Sequence, residues 1–420
     1  MRVLLLNQCF YPDVVSTAQH LTELALGLVE QGHQVTVITS DRGYDNPENR
    51  FPPREVWRGI SIIRIPSISI GKKSKWRRAL NFGSFLVNCT LRLLLMSRFD
   101  VVVSLTSPPL ISFLGSLFVN LKGGKLVFWV MDLNPDEAIA AGWLKEKSLA
   151  ARLLTSFLTY SLRHAEKIVV LDRFMRARIL KKGIAEQKLV TIAPWSHSDA
   201  VRFDADGREA FRKEHGFSDK FVVMYSGNHS PCHPLDTLVQ AAGKLGANSE
   251  VSFAFVGGGS EQTKVRDYAA RQNLTNVICL PYQPLEKLAG SLSAADLHVV
   301  VMGEPFVGIV HPCKVYNILE VGAPILYIGP GDSHVVDLMV RTEAGANFWS
   351  ARHGEIERVA KHIKECEQAG DEARSANELA AGFSREALLP QMLKLLESVG
   401  AGALKSSAAI PEAEKQPATH

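Results

Sequence analysis

The chain has 420 residues and a mass of 46.2 kDa, with 46% hydrophobic and 21% charged residues. This composition excludes a disordered, collagen-like or disulfide-scaffold protein and provides for two or three ordinary domains. The net charge of +4 divides unevenly: residues 1–199 carry 26 Lys/Arg against 16 Asp/Glu, and residues 200–420 carry 21 against 27. A basic first half and an acidic second half predict two domains facing different partners.

Residues 3–7 are a short apolar strand, followed by a loop containing Pro12. Leu21, Leu24, Ala25 and Leu28 recur at helical spacing and predict a helix over 17–31, stopped by Gly32, before a second strand at 34–39. Strand, helix, strand predicts a parallel sheet. Strands follow at 60–65, 101–105, 125–130, 168–171 and 189–192, and the polar segment 196–206 is a linker. A second series has strands at 221–226, 251–256, 277–280, 297–301 and 324–328, with helices near 234–245, 285–292 and 313–321. Two doubly wound α/β domains, 1–199 and 200–380, account for the length. Residues 381–399 are expected to form a helix packing back toward the first domain, and the small, polar segment 400–420 a disordered tail.

The N-terminal apolar run stops at Pro12 without a cleavage site, as in a first strand rather than a signal peptide. Asn81, Asn88 and Arg92 interrupt the apolar stretch 79–96, and Pro108-Pro109 the stretch 101–121, so neither is expected to span a bilayer. The six cysteines are scattered without a CxxC, which suits thiols in a reducing, cytoplasmic compartment. The stretch 71–98 holds Lys72, Lys73, Lys75, Arg77, Arg78, Arg92 and Arg98 with no acid, together with Trp76, Phe82 and Phe85. It is either an interfacial membrane anchor or a core-packed helix preceded by a solvated basic loop. No nucleic-acid-binding module accompanies the charge, and no nucleic-acid partner is expected.

Ligands of doubly wound sheets sit at the carboxyl ends of the strands. Three loops of the second domain therefore matter: Gly227, Asn228, His229, Cys232 and His233; Gly257, Gly258 and Gly259; and Glu304 to Lys314 with Val307, Gly308 and Ile309. Glycines let a backbone approach a phosphate, although a triple glycine after a strand is equally a plain turn. Lys314, Asn317 and Glu320 form one slanting helical stripe, suited to a diphosphate followed by a ribose or to a solvated face.

Leu5-Leu6-Asn7-Gln8 with Phe10-Tyr11-Pro12-Asp13, Gly32-His33-Gln34-Val35, Pro194-Trp195, Phe255-Val256-Gly257, Ala294-Ala295-Asp296, and Lys314 followed by Gly322-Ala323-Pro324 together resemble retaining glycosyltransferases of family 4. Tyr225-Ser226-Gly227-Asn228, Asp132-Leu133-Asn134-Pro135-Asp136 and Pro312-Cys313-Lys314-Val315-Tyr316 resemble the subgroup that builds bacterial O-antigen and colanic-acid-type polysaccharides. The resemblance runs from residue 1 to about 399. It implies the GT-B fold, two Rossmann-like domains facing across a cleft. It also implies a UDP- or GDP-sugar donor on the second domain and a polyprenyl-linked or saccharide acceptor on the first, at the inner face of the cytoplasmic membrane.

Family 4 usually has two glutamates eight positions apart; here those positions are Ile309 and Asn317. The resemblance therefore moves the donor-sugar contact to the backbone N–H groups of 307–310, to Glu304 or to Glu320. The Arg and Lys that normally hold the diphosphate correspond to Asn228 and His233, which leaves Lys314 as the permanent charge and His233 as a part-time cation. Ser16 and Thr17 stand where the family often has two glycines, within reach of the donor phosphate. Asp132 contacts the donor sugar or the acceptor hydroxyl, or else caps a helix. Asp132, Lys314 and Glu304 are the catalytic candidates. Leaving-group charge is assigned to Lys314, His233 and helix N-termini, without a metal or cofactor, and no nucleophilic residue is required. His229, Cys232, His233, His311 and Cys313 offer zinc-type side chains at a non-standard spacing, or simply line a donor pocket. Two other functions stand beside transfer: a nucleotide-sugar epimerase, which needs carboxylates that Ile309 and Asn317 do not supply, and a non-catalytic nucleotide-sugar-binding component.

Overall fold

The computed structural model describes the chain apart from residues 45–46, 69–74, 197–200, 247–249, 342–347, 371–377 and 409–420. The first βαβ unit is β1 (Arg2–Leu6), α1 (Ser16–Glu30) and β2 (Gln34–Ser40). It continues through β3 (Arg54–Trp57), β4 (Ile60–Ile65), α2 (Lys75–Leu94), β5 (Val101–Ser104), α3 (Ile111–Lys122) and β6 (Lys125–Trp129). Then come α4 (Asp136–Ala140), α5 (Leu149–His164), β7 (Lys167–Val170), α6 (Arg173–Lys181) and β8 (Leu189–Thr191). These strands make an eight-stranded sheet in the order β3-β4-β2-β1-β5-β6-β7-β8, parallel except for β3 against β4. The uninterrupted apolar runs Val3–Leu6 and Val101–Val103 are fully buried because helices cover both faces of the sheet centre.

The second half repeats the plan. It contains α7 (Ala205–Glu214), β9 (Phe221–Asn228), α8 (Asp236–Leu245), β10 (Val251–Gly258), α9 (Ser260–Arg271), β11 (Val277–Leu280) and α10 (Leu285–Ser293). These are followed by β12 (Leu297–Val301), α11 (Lys314–Glu320), β13 (Ile325–Ile328), α12 (His334–Arg341), β14 (Phe348–Ala351) and α13 (Ile356–Ala369). The six strands are parallel, in the order β11-β10-β9-β12-β13-β14. Two last helices are α14 (Glu378–Gly382) and α15 (Arg385–Ala408). Each sheet reverses its winding direction once, between β1 and β5 and between β9 and β12, and the crevices outside those carboxyl ends are where a ligand fits.

The halves share one continuous hydrophobic core, running from Leu4, Val102 and Trp129 to Met302, Ile309, Tyr316 and Ile325. The far face of the second sheet has its own cluster around Phe253, Val299 and Ile363. The chain also returns to the first half. Leu389 and Leu393 of α15 close over Gly27 of α1, where a side chain would crowd them.

Three features depart from the expected elements. The edge strands β3 and β14 have no long apolar run, and β3 exposes or half-exposes every residue, so periodicity did not mark them. Strands β9 and β10 run two residues past the expected ends, pairing Gly227 with Gly257 and Asn228 with Gly258. The tail expected to be disordered from Gly400 is instead helical to Ala408. Gly400 sits against Met1 and Val101, Ala403 is buried, and Arg98 donates to the Ala403 carbonyl at 3.4 Å. Small residues there allow close packing; they do not mark a missing core. Among the described residues no helix is long and apolar enough to cross a membrane.

Candidate active site

The two switch points face one cavity of ≈ 670 Å³, lined from the first half by Gln8, Thr106, Asp132 and Glu137 and from the second by Asn228, His229, His233 and His311. On the second half, the next-to-last residue of β9 is Gly227, whose φ of +124° suits glycine and whose missing side chain admits Lys314: a Cβ would lie 3.2 Å from Lys314 Nζ. The ammonium sits 3.6 Å from the Tyr225 ring centroid and has no hydrogen-bond acceptor among the described residues. A cation over an aromatic face gains a little, but far less than it loses on leaving water. Burial accordingly pushes Lys314 down to about 7. It is therefore not a permanent charge, as its residue type had implied, but is protonated in about half the molecules at neutral pH.

The two imidazoles beside it are neutral. His229 donates from Nδ1 to the Gly227 carbonyl at 2.9 Å, and its buried Nε2 has no hydrogen-bond partner among the described residues. His233 donates from Nδ1 to the Val301 carbonyl at 2.6 Å. Burial first, and the Lys314 charge second, push His229 down to about 4 and His233 to about 3. The part-time cation expected of His233 is thus a neutral ring, because an enclosed imidazole beside an ammonium loses its proton first.

The glycines after β10 serve the chain itself. A side chain on Gly257 would collide with the Gly227 carbonyl, and one on Gly259 with the His229 carbonyl. Gly258 packs on Tyr282. Asn228 is exposed at the cavity rim, its carbonyl accepting from the Tyr225 hydroxyl at 2.8 Å.

The loop from Gly303 to Cys313 is clamped by the first half. Arg178 of α6 donates to the Val307 carbonyl at 2.6 Å and the Pro305 carbonyl at 3.1 Å, and Leu133 N–H donates to the Ile309 carbonyl at 2.9 Å. Gly308, at φ +70°, lies against the Phe174 backbone, where a side chain would collide. The N–H groups of Ile309 and Val310 both donate to the Phe306 carbonyl, so these two donors are already taken, contrary to their expected part in binding the sugar. Glu304 is exposed outside the cavity in a short 3-10 turn. Glu320 accepts from Ser196 at 2.6 Å, where the chain crosses between halves, and Asn317 is half-buried one turn before it. Ser16 and Thr17 open α1, and the Cys313 thiol meets the Ser16 hydroxyl.

The five zinc-type side chains do not converge. His311 turns away, donating from Nδ1 to Asp172 at 2.7 Å and accepting at Nε2 from the Tyr316 hydroxyl at 2.7 Å. Its ring stacks on His334 with centroids 3.8 Å apart. Asp172, His311 and His334 are instead a buried clasp between the halves, their polar atoms within 4.8 Å of one another. Burial raises Asp172, but the His311 hydrogen bond and charge and the Met175 N–H outweigh it and bring the carboxyl down to about 2. None of the six cysteines is in a disulfide. Arg173 adds an exposed clasp, reaching Asp337 at 2.7 Å and Asp332 at 2.9 Å.

Residues 17–195 match a glycosyl transferase 4-like domain. Over 336 residues, 77% of this chain and 82% of the relative, the sequence is 27% identical to the putative colanic acid biosynthesis glycosyl transferase WcaI of Escherichia coli. Among solved structures, a sucrose-phosphate synthase from Thermosynechococcus elongatus superposes with a TM-score of 0.74 at 15% identity, covering 96% of this chain and 100% of that one. Anabaena HepE, solved with UDP and glucose, superposes with a TM-score of 0.64 at 14% identity, covering 98% and 100%. The chain has the GT-B fold, and its first half carries a glycosyl transferase 4-like domain. For this GT-B chain, Glu137, Tyr225, Arg178, Asp172 and His334 are site or clasp residues that sequence reasoning missed. Only Glu137, five residues after Asp132 and opening a helix, left a local signal.

Proposed function

We propose that the chain transfers a hexosyl or N-acetylaminosugar residue, with retention at the anomeric carbon, from a UDP- or GDP-sugar to a polyprenyl-linked or saccharide acceptor in cell-envelope polysaccharide synthesis. The observation that carries this reading is Lys314, a buried ammonium beside Gly227 with no hydrogen-bond acceptor among the described residues. A diphosphate supplies that counter-ion, and the nucleotide bound to the similarly folded HepE agrees with it. As the C1–O bond to the diphosphate breaks, Lys314 neutralises the leaving group while Asp132, lining the cavity from the first half, meets the sugar or acceptor hydroxyl. No resident metal or cofactor is needed for these roles. In this reading residues 1–199 hold the acceptor and residues 200–380 the donor.

Acceptor delivery is assigned to the membrane face of the first half. Leu80, Val87, Leu91 and Leu94 make an exposed stripe along α2, continued by Leu95 and by Leu117 and Leu121 of α3. Arg92, Arg98 and Lys122 flank it, half-buried. Apolar side chains between bases suit an anionic bilayer at the cytoplasmic face. Residues 71–74 of the basic stretch lie outside the described residues, as do the side chains of Lys75, Trp76 and Arg78.

The test is incubation of purified protein with UDP-, GDP- and ADP-sugars and membrane lipids, with product configuration read by NMR. Transfer with retention supports the reading. Binding without turnover for every pair overturns it in favour of a non-catalytic binder, and epimerised free donor in favour of an epimerase.

A further inference from the structure

The first half's wall of the cavity holds an ionisable group without a hydrogen-bond partner among the described residues. The Asp132 carboxyl, just after β6, is half-buried and lines the cavity; burial and one neighbouring charge act on it, but no described donor hydrogen-bonds it. Its neighbour Glu137 is brought back over the same loop by the first turn of α4, where its N–H donates to the Leu133 carbonyl at 2.9 Å. Both Glu137 oxygens are held. Asn134 Nδ2 donates to Oε2 at 3.0 Å, and the Cys232 thiol, from the loop after β9, reaches Oε1 at 3.8 Å. A thiol is a weak donor, but this one comes from the other sheet, so both walls of the cleft set the position of Glu137.

Two half-buried carboxyls brought to one loop and one cavity resist ionising together. Burial, then the Glu137 charge, push Asp132 up to about 8. Burial raises Glu137 as well, but the Asn134 and Cys232 hydrogen bonds draw it back. The donors that Glu137 has and Asp132 lacks decide which group keeps the proton. The other titratable groups facing the pair are neutral or remote in effect: the Cys232 and Cys313 thiols are pushed up to about 12, and the His229 and His233 rings are uncharged. Arg42 also lines the cavity but is engaged elsewhere, donating to the Ser67 carbonyl at 2.9 Å and the Pro47 carbonyl at 3.0 Å, and His311 is tied to Asp172. An ionised Asp132 would repel a diphosphate in the same low-dielectric cavity, whereas its acid form does not.

We propose that Asp132 and Glu137 form a carboxyl pair holding one proton, in which Glu137 is the positioning residue that keeps Asp132 in its acid form, so that Asp132 donates a hydrogen bond to a sugar or acceptor hydroxyl. The nature of that hydroxyl rests on the glycosyltransferase reading; the shared proton does not.

Infrared titration of the full chain in D2O reads the proton directly. The expected result is a protonated-carboxyl band at neutral pH that disappears with a midpoint near pH 8. The band is absent in Asp132→Asn, and in Glu137→Gln it titrates at least tenfold further toward acid. A wild type without the band at neutral pH, a band that survives Asp132→Asn, or a midpoint unmoved by Glu137→Gln overturns the proposal. Should Glu137→Gln fail to fold, the Asp132→Asn arm decides alone. In parallel, UDP release from UDP-glucose at saturating donor should show a descending alkaline limb that Glu137→Gln moves to lower pH. A merely structural role would lower the rate at every pH and leave the limb in place. An inactive protein that keeps the shared proton would refute the transferase reading and leave the pair standing.

Discussion

Lys314 makes donor binding depend on pH in a way that can be calculated. In the free protein burial lowers this lysine from 10.5 to about 7. A diphosphate within a few ångströms restores the ammonium, so binding above pH 7 takes up a proton. The apparent Kd then scales as one plus ten to the power (pH − 7). Between about pH 6 and about pH 8.5 that is about a thirtyfold weakening, equivalent to about 2 kcal/mol at 1.36 kcal/mol per unit. His229 and His233, at about 4 and about 3, stay neutral across this range and do not contribute. Isothermal titration calorimetry of a UDP- or GDP-sugar in buffers of different ionisation enthalpy measures both the Kd and the proton uptake. Lys314→Met should bind weakly and without pH dependence. It should also be more stable, because a lysine with a depressed folded value costs stability below pH 7, a cost that fades as pH rises toward 10.5. The full cost is about 5 kcal/mol. A Kd that stays constant from about pH 6 to about pH 8.5, or Lys314→Met binding as tightly as wild type, would refute this account of the site.

Gly227→Ala should lose donor binding and at least about 1 kcal/mol of stability, because φ is +124° and the new Cβ would sit 3.2 Å from Lys314 Nζ; a neutral result in urea melts and binding assays would show that the loop yields. Asp172→Asn keeps the cap on α6 but removes the charge facing His311 and His334. Because the folded carboxyl lies near 2 against an ordinary 3.8, its contribution of about 2 kcal/mol is present above pH 3.8 and lost as pH falls toward 2. The stability difference from wild type, read by urea unfolding, should therefore shrink from neutral to acid pH, and an equal difference at both would contradict it. Leu91→Glu with Leu95→Glu should abolish co-sedimentation with anionic vesicles while leaving the circular dichroism unchanged; persistent binding would place the membrane contact elsewhere.

The strands at the sheet centres were legible because β1, β5 and β12 are apolar at all but one position each (Arg2, Ser104 and His298), as suits strands buried on both faces. The edge strands were not, since β3 spends its residues on solvent and on Arg64, whose guanidinium pairs with Glu55 at 2.7 Å. Composition misled at Gly400–Ala403, where smallness permits contact with Met1 and Val101. Gly227, near the end of β9, was legible as a close approach, but what approaches it is Lys314 from 87 positions away. Local sequence pointed to Lys314 and Asp132 and hid their protonation, which burial sets. It could not show that His311 turns to Asp172, or that Glu320 closes the chain crossing with Ser196, since both are long-range pairs.

The most direct test of the central claim is a structure of this chain with a nucleotide-sugar bound. The account places the diphosphate against the Gly227–His233 loop with a phosphate oxygen at Lys314 Nζ, and the sugar directed toward Asp132 and Glu137. A donor bound with its phosphates remote from Lys314, or with its sugar turned away from Asp132, would contradict it.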